Sequence, residues 1–305
     1  MNLDQRKAIL VVAALVMMGA LFAWWHFSER GRKEPVYQGW TLTQWLEQLD
    51  DGEALGISSG RLPSPTPGQL EAARAIRAMG PEALPLLMED IHARRDTNCF
   101  RIRFYNWAEA HLSRSLSSRL FSVDPVTEDD RIRWRAAQGL AALGPLAKPA
   151  RPELKRLLFT NYWHSSIKEA AYALSTIGPE GVEVLTNAVQ PQTEWSGMCA
   201  IWALGQHPEV GTNDIPFFIK AAKSSSEGTA EGAIEVLGLF HTDPGQVIPA
   251  LTNILTGKNA QLSQRAARSL AQFGPQAAAA APLLEVMTNN PAMRGEALRA
   301  LKQIR

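Results

Sequence analysis

A chain of 305 residues with 46% hydrophobic and 20% charged residues can bury a sizeable core and is too apolar to be disordered. Its formal net charge of +1 supplies no global field to draw the molecule onto nucleic acid or an anionic membrane. The two cysteines, Cys99 and Cys199, stand in no metal-ligand spacing and imply neither a disulfide framework nor a zinc site. Two buried thiols are the simpler reading, with a single long-range bridge the alternative in an oxidising compartment.

The run from Ala8 to Phe27 holds 20 residues without a formal charge. As a helix it spans about 30 Å, the thickness of a bilayer's hydrocarbon core. Trp24 and Trp25 close it where amphipathic rings favour the headgroup zone. A cleaved signal peptide is the competing reading, but the run is long for one and no small-x-small site follows. Residues 1–34 are therefore expected to be an uncleaved membrane anchor. Arg6 and Lys7 before it nearly balance Arg30, Arg32 and Lys33 after it, so charge does not fix orientation. An extracytoplasmic body on a bacterial inner membrane is the arrangement expected for so short a head.

Residues 35–68 read as an amphipathic capping helix and a linker. Thr41 and Gln44 have capping-box spacing, and Leu42, Trp45, Leu46 and Leu49 share one helical face. So short a helix is marginal alone and must pack on something, for which the open end of the following region is the candidate. Asp50 to Gly68 is dense in Gly, Ser and Pro.

From residue 69 the chain repeats. EAARAIRAMGP (71–81), RAAQGLAALGP (135–145), EAAYALSTIGP (169–179) and RAARSLAQFGP (265–275) superpose: small residues, then a large apolar residue, then apolar-Gly-Pro. Small residues let helices approach closely, and Gly supplies the left-handed position that ends each helix. Pro216, Pro249 and Pro282 recur every 33 residues before apolar stretches, with Pro149 and Pro85 upstream, and are expected in the first turns of second helices. Segments 199–210 and 233–245 are degenerate. In the last helix Ala297, Leu298, Leu301 and Ile304 are expected inward, with Arg299, Lys302, Gln303 and Arg305 as a polar cap. A period in the thirties built from two helices means an all-α solenoid, because one hairpin alone cannot bury its apolar faces.

Over residues 69–305 this pattern resembles HEAT repeats, and more broadly the HEAT/armadillo/bilin-lyase-like class. With YQGWTLTQWLEQL placed ahead of ARAIRAMGPEALPLL, the chain also resembles uncharacterised bacterial membrane-anchored HEAT-repeat proteins. The resemblance implies an α-α superhelix and says little about activity, which lies on grafted surfaces.

An irregular helical insert is expected at about 92–131. Residues 92–156 carry 13 Lys and Arg against 7 Asp and Glu, whereas residues 34–91 carry 3 against 9. Arg101, Arg103, Arg131, Arg133 and Arg135 form a candidate recognition patch, with a solvated face paired to nearby acids as the plainer alternative. Phe100, Phe104 and Trp107 follow core spacing. Trp163 and Trp195, placed between repeats, are candidate partner anchors, while Trp134 and Trp202 fall inside repeat helices and read as packing.

No catalytic residues, metal ligands or cofactor site emerge. None of the six histidines precedes a glutamate, as iron-holding His-Glu pairs of HEAT-class hydroxylases would require, and HExxH, CxxC, GxSxG and P-loop motifs are missing. The expectation is a membrane-anchored scaffold that binds a protein or peptide and performs no catalysis. No small-molecule ligand is indicated and nucleic acid is disfavoured. The alternatives are a lyase-like chaperone or enzyme of the HEAT class, and nucleic-acid binding through the 92–156 face.

Overall fold

The computed structural model describes residues 33–50, 64–93, 125–159, 164–190, 193–207 and 212–305. The apolar run at 8–27, most of the loop before residue 68, and residues 94–124 of the expected insert lie outside these. Among the described residues no helix is long and apolar enough to cross a membrane.

A short antiparallel ribbon comes first: β1 (Val36–Tyr37) and β2 (Trp40–Thr41) pair with Val36 opposite Thr41 and Tyr37 opposite Trp40. Its two-residue turn, Gln38-Gly39, takes positive φ at both positions (52° and 83°). Such turns match the twist of paired strands. This ribbon departs from the expectation of helix and linker here in an all-α chain. Helix α1 (Leu42–Leu49) follows at once. The Thr41 side chain accepts from the Gln44 backbone while the Gln44 side chain accepts from the Thr41 backbone, so the capping box is complete. Its buried face is Leu42, Trp45, Leu46 and Leu49.

The remaining helices alternate. First helices are α2 (Pro67–Met79), α4 (Pro125–Leu143), α6 (His164–Thr176), α8 (Glu194–Gln206), α10 (Glu227–Gly238), α12 (Ala260–Ala271) and α14 (Arg294–Ile304). Second helices are α3 (Leu84–Asp90), α5 (Arg151–Leu158), α7 (Pro179–Ala188), α9 (Ile215–Ala221), α11 (Pro244–Leu255) and α13 (Ala281–Met287). First helices from α4 to α14 pack successively on one another, each second helix packs on the first helix that follows it, and α1 packs on both α2 and α4. Helix α4 begins at Pro125, inside the stretch expected as insert, and adds those residues to the repeat.

Two rows of side chains explain the stacking. Ala72, Ala136, Ala170, Ala200, Ala233, Ala266 and Ala297 occupy the same place in successive first helices, and all are fully buried. A methyl group there lets neighbouring helices close on each other. Four residues later stand Ile76, Leu140, Leu174, Leu204, Leu237, Leu270 and Leu301, all buried. Each contributes about 2 kcal/mol of apolar burial. Gly80, Gly144 and Gly274 end their helices at φ of 63°, 56° and 54°, where a side chain would be strained, and the following proline opens a 3₁₀ turn.

Three details differ from the expectations. Pro216, Pro282 and Pro85 do open second helices, but Pro249 lies inside α11, which starts earlier at Pro244 behind an Asp243 cap. Pro149 sits within a 3₁₀ run, and Pro152 takes the first turn of α5. Leu298 is 52% exposed, because no further first helix covers the place that Ala267 and Ile234 fill against their neighbours.

Candidate interaction surface

The row of alanines is constant from repeat to repeat, whereas the positions beside it vary. Two residues before each alanine stand Leu70, Trp134, Lys168, Met198, Glu231, Gln264 and Gly295; one before, Glu71, Arg135, Glu169, Cys199, Gly232, Arg265 and Glu296. Two after stand Arg74, Gln138, Tyr172, Trp202, Glu235, Arg268 and Arg299. These positions share one face of each first helix. Along that face the chemistry changes in three blocks.

The first block fastens the N-terminal cap. Arg135 Nε and Arg131 Nη2 donate to the same oxygen of Asp50 at 2.8 and 3.0 Å, and the Asp50 side chain is 3% exposed. Arg133 is buried and donates to the Ala93 carbonyl and the Asp130 carboxylate. The three arginines that the sequence grouped as a patch thus divide by helical geometry. Arg131 and Arg135, one turn apart, meet α1, while Arg133 points into the fold. Arg101 and Arg103 lie outside the described residues.

The second block is closed and aromatic. The rings of Trp134, Tyr172 and Trp202 lie 4.9 Å (Trp134–Tyr172) and 6.0 Å (Tyr172–Trp202) apart. The ammonium of Lys168 sits 4.8 Å from the Trp134 ring and 5.0 Å from the Trp202 ring, a cation–π contact made in a buried setting where it is strongest. Beside it Glu169 is 3% exposed, and its Oε2 has no hydrogen-bond partner. Burial pushes the Glu169 carboxyl up to about 7; a backbone hydrogen bond and the charges of Arg133 and Lys168 oppose this, while Asp130 adds to it. Cys199 is a free, buried thiol, pushed up to about 12 by burial and by the charge of Glu169, against the pull of Lys168. Cys99 lies outside the described residues.

The third block, from α10 to α14, is open and charged. Arg265 bridges Glu231 and Glu235, and Arg268 and Arg299 both donate to Glu296 at 3.1 and 2.9 Å. Arg268 and Arg299 stay 45% and 74% exposed. Burial raises the Glu235 carboxyl despite the adjacent Arg265. Ala260, Gln261, Gln264, Arg265 and Arg268 line a depression of about 380 Å³ in this block. Trp195, 47% exposed, belongs to the first turn of α8 rather than to a loop, in the same row as Arg131 and Gln261. Trp163 lies outside the described residues. In-register comparison of the repeats, which isolates the positions beside the alanines, was the signal that finds this charged block. Among the described residues no group of three His, Cys, Asp or Glu side chains is placed to hold a metal ion.

Paired helices stacked through a constant alanine row, with variable chemistry along one face, define an α-solenoid repeat protein. Residues 215–302 match the family model for HEAT repeats, so this part of the solenoid carries HEAT repeats. No curated protein matches the sequence. Among solved structures the chain is similar to human deoxyhypusine hydroxylase in complex with glycerol, at 16% identity over 86% of this chain and 95% of that one, with a TM-score of 0.33. It is also similar to a designed armadillo repeat protein in complex with peptide (KR)4, at 16% identity over 87% and 99%, with a TM-score of 0.27. An engineered protein matches at 18% identity over 86% and 96%, with a TM-score of 0.27.

Proposed function

We propose that this protein is a membrane-tethered HEAT-repeat scaffold that binds a protein or peptide along the open first-helix face from α10 to α14, with no chemistry of its own. The observation that supports this is the pair of exposed arginines Arg268 and Arg299, which share the Glu296 carboxylate, beside the part-buried ladder Glu231–Arg265–Glu235 and an open depression. The pairs that Arg268 and Arg299 make with Glu296 keep their cations open to solvent and contribute little to stability, so a partner's own acids can take over these arginines at small cost. Trp195 gives the same face a large apolar anchor at its far edge. The tether is the apolar run at 8–27, and the solenoid lies on the extracytoplasmic side.

Photocrosslinkers at Gln264, inside the depression, and at Asn253, on the second helix α11, test the surface in native membranes. A partner captured at Gln264, absent at Asn253 and lost on Arg268→Glu supports the reading. Capture at Asn253 alone moves the site to the other face. Protease protection in spheroplasts tests the compartment: digestion of the solenoid only after the outer envelope is breached supports export, and protection by the inner membrane overturns it.

A further inference from the structure

The ribbon β1–β2 leaves an apolar side chain open to solvent on each of its faces. Directly opposite residues share a face, so Trp40 lies with Tyr37 and Val36 with Thr41 on the reverse. Val36 is 60% exposed and Trp40 43%, although one edge of Trp40 stacks on Trp45 at 4.9 Å. Single exposed apolar residues are ordinary on any surface. Here, however, two of the eight large hydrophobic residues exposed among the described residues fall on one four-residue ribbon. A two-stranded ribbon has too little core to justify this by packing.

Position supplies the reason. The ribbon is the first described element after the apolar run that ends at Phe27. Its approach is pinned: Pro35 accepts from the Leu42 backbone at 3.0 Å, and the Glu34 carboxylate accepts from the Thr43 backbone at 3.0 Å. Residues 28–33 join the apolar run to this pinned point, and six residues at full extension reach about 20 Å at most. A headgroup layer is itself about 5–8 Å deep on each side. The ribbon is thus confined to the neighbourhood of the lipid surface, with Arg30, Arg32 and Lys33 between it and the apolar run.

We infer that the β1–β2 ribbon is a foot that rests in the lipid–water interface, with Trp40 and Val36 in the headgroup zone. Trp is the residue that interface favours most, with one end apolar and the other wet. Trp45 Nε1 donates to the Tyr37 carbonyl at 3.2 Å, and Asp50 fixes α1 to α4, so the foot moves with the solenoid. A membrane-resting foot of this kind sets the angle at which the first-helix face stands to the bilayer. The inference rests on the tether proposed above.

The test uses the full-length chain in vesicles of phosphatidylethanolamine and phosphatidylglycerol, with a diazirine-bearing phenylalanine at position 36, at position 40, or at exposed Leu298 as control. Both ribbon sites are partly open, so failure of one variant to fold leaves the other. Lipid adducts several-fold more abundant at 36 or 40 than at 298 are the expected result. A chain that floats with the vesicles but yields adducts at 36 and 40 no stronger than at 298 overturns the foot alone. A chain that does not float overturns the tether and the foot with it.

Discussion

Oδ2 of Asp50 accepts from Nε of Arg135 at 2.8 Å across 85 positions of sequence, tying the end of α1 to α4. Arg131 reaches the same oxygen, and Gln69 of α2 donates to the Leu49 carbonyl beside it. Asp50→Asn removes the charge that two guanidinium groups share in a nearly buried site, and is expected to cost about 2–3 kcal/mol. In a stack where each layer contacts only its neighbours, the loss stays local. Hydrogen exchange should quicken in α1, α2 and α4 while α12 to α14 keep their protection. Equal slowing or quickening throughout would contradict this local clamp.

Two glycines on first helices should respond oppositely to alanine. A Cβ on Gly205 would lie 2.6 and 2.7 Å from the two γ-carbons of Val236, which is buried on the next first helix. A β-branched side chain cannot turn both away. Overpacking of about 1–3 kcal/mol outweighs the gain in helix propensity of about 1 kcal/mol, so Gly205→Ala should lower thermal stability. Gly295 has nothing within 4 Å of the added carbon. Gly295→Ala should raise stability by roughly 0.5–1 kcal/mol, readable in a urea melt.

The repeat was legible because its signals are local: the alanine pair, the leucine four residues on, and Gly-Pro all lie within eleven residues, as RAARSLAQFGP shows. The capping box at Thr41 was legible for the same reason. The site was not, because its contacts join distant positions. Nothing in the sequence near Arg135 points to Asp50, and a patch of like charges looks the same whether it faces water or an acid from another helix. Arg133 shows the cost of grouping by sequence proximity, since alternate residues on a helix face different ways. Lys168 and Glu169 look like ordinary surface charges in IKEAAYAL; only the stacking of α4, α6 and α8 encloses them. Pro249 was misplaced because a proline period reports the repeat length, not the helix start.

The thiol of Cys199 is held far from ionisation at neutral pH, with burial and the Glu169 charge acting together. Since the thiolate is the reactive form, Cys199 should resist alkylation in the native chain. In a Cys99→Ser background, iodoacetamide is expected to label Cys199 only once denaturant opens α6 against α8. Rapid native labelling would show that this layer opens on its own.

Glu169 gives the layer a pH dependence whose sign is fixed by burial. Its folded pKa, about 7, lies above the ordinary 4.5, so the native state binds the proton more tightly than the unfolded chain between those limits. The stabilisation is fully present below about 4.5 and is lost as pH rises through 7. The groups facing it are Arg133 and Asp130 from α4, Lys168 from its own helix and Cys199 from α8. The two cations, Arg133 and Lys168, limit the penalty but do not cancel it. Glu169→Gln keeps the shape and removes the ionisation. Above pH about 8 the variant should exceed the parent in stability by up to about 3 kcal/mol, with the difference shrinking toward acid. Denaturant melts across this range measure it. A variant less stable than the parent above pH about 8, where Glu169 is ionised, would mean that the ionised carboxylate is itself the stabilising partner of Lys168 and Arg133.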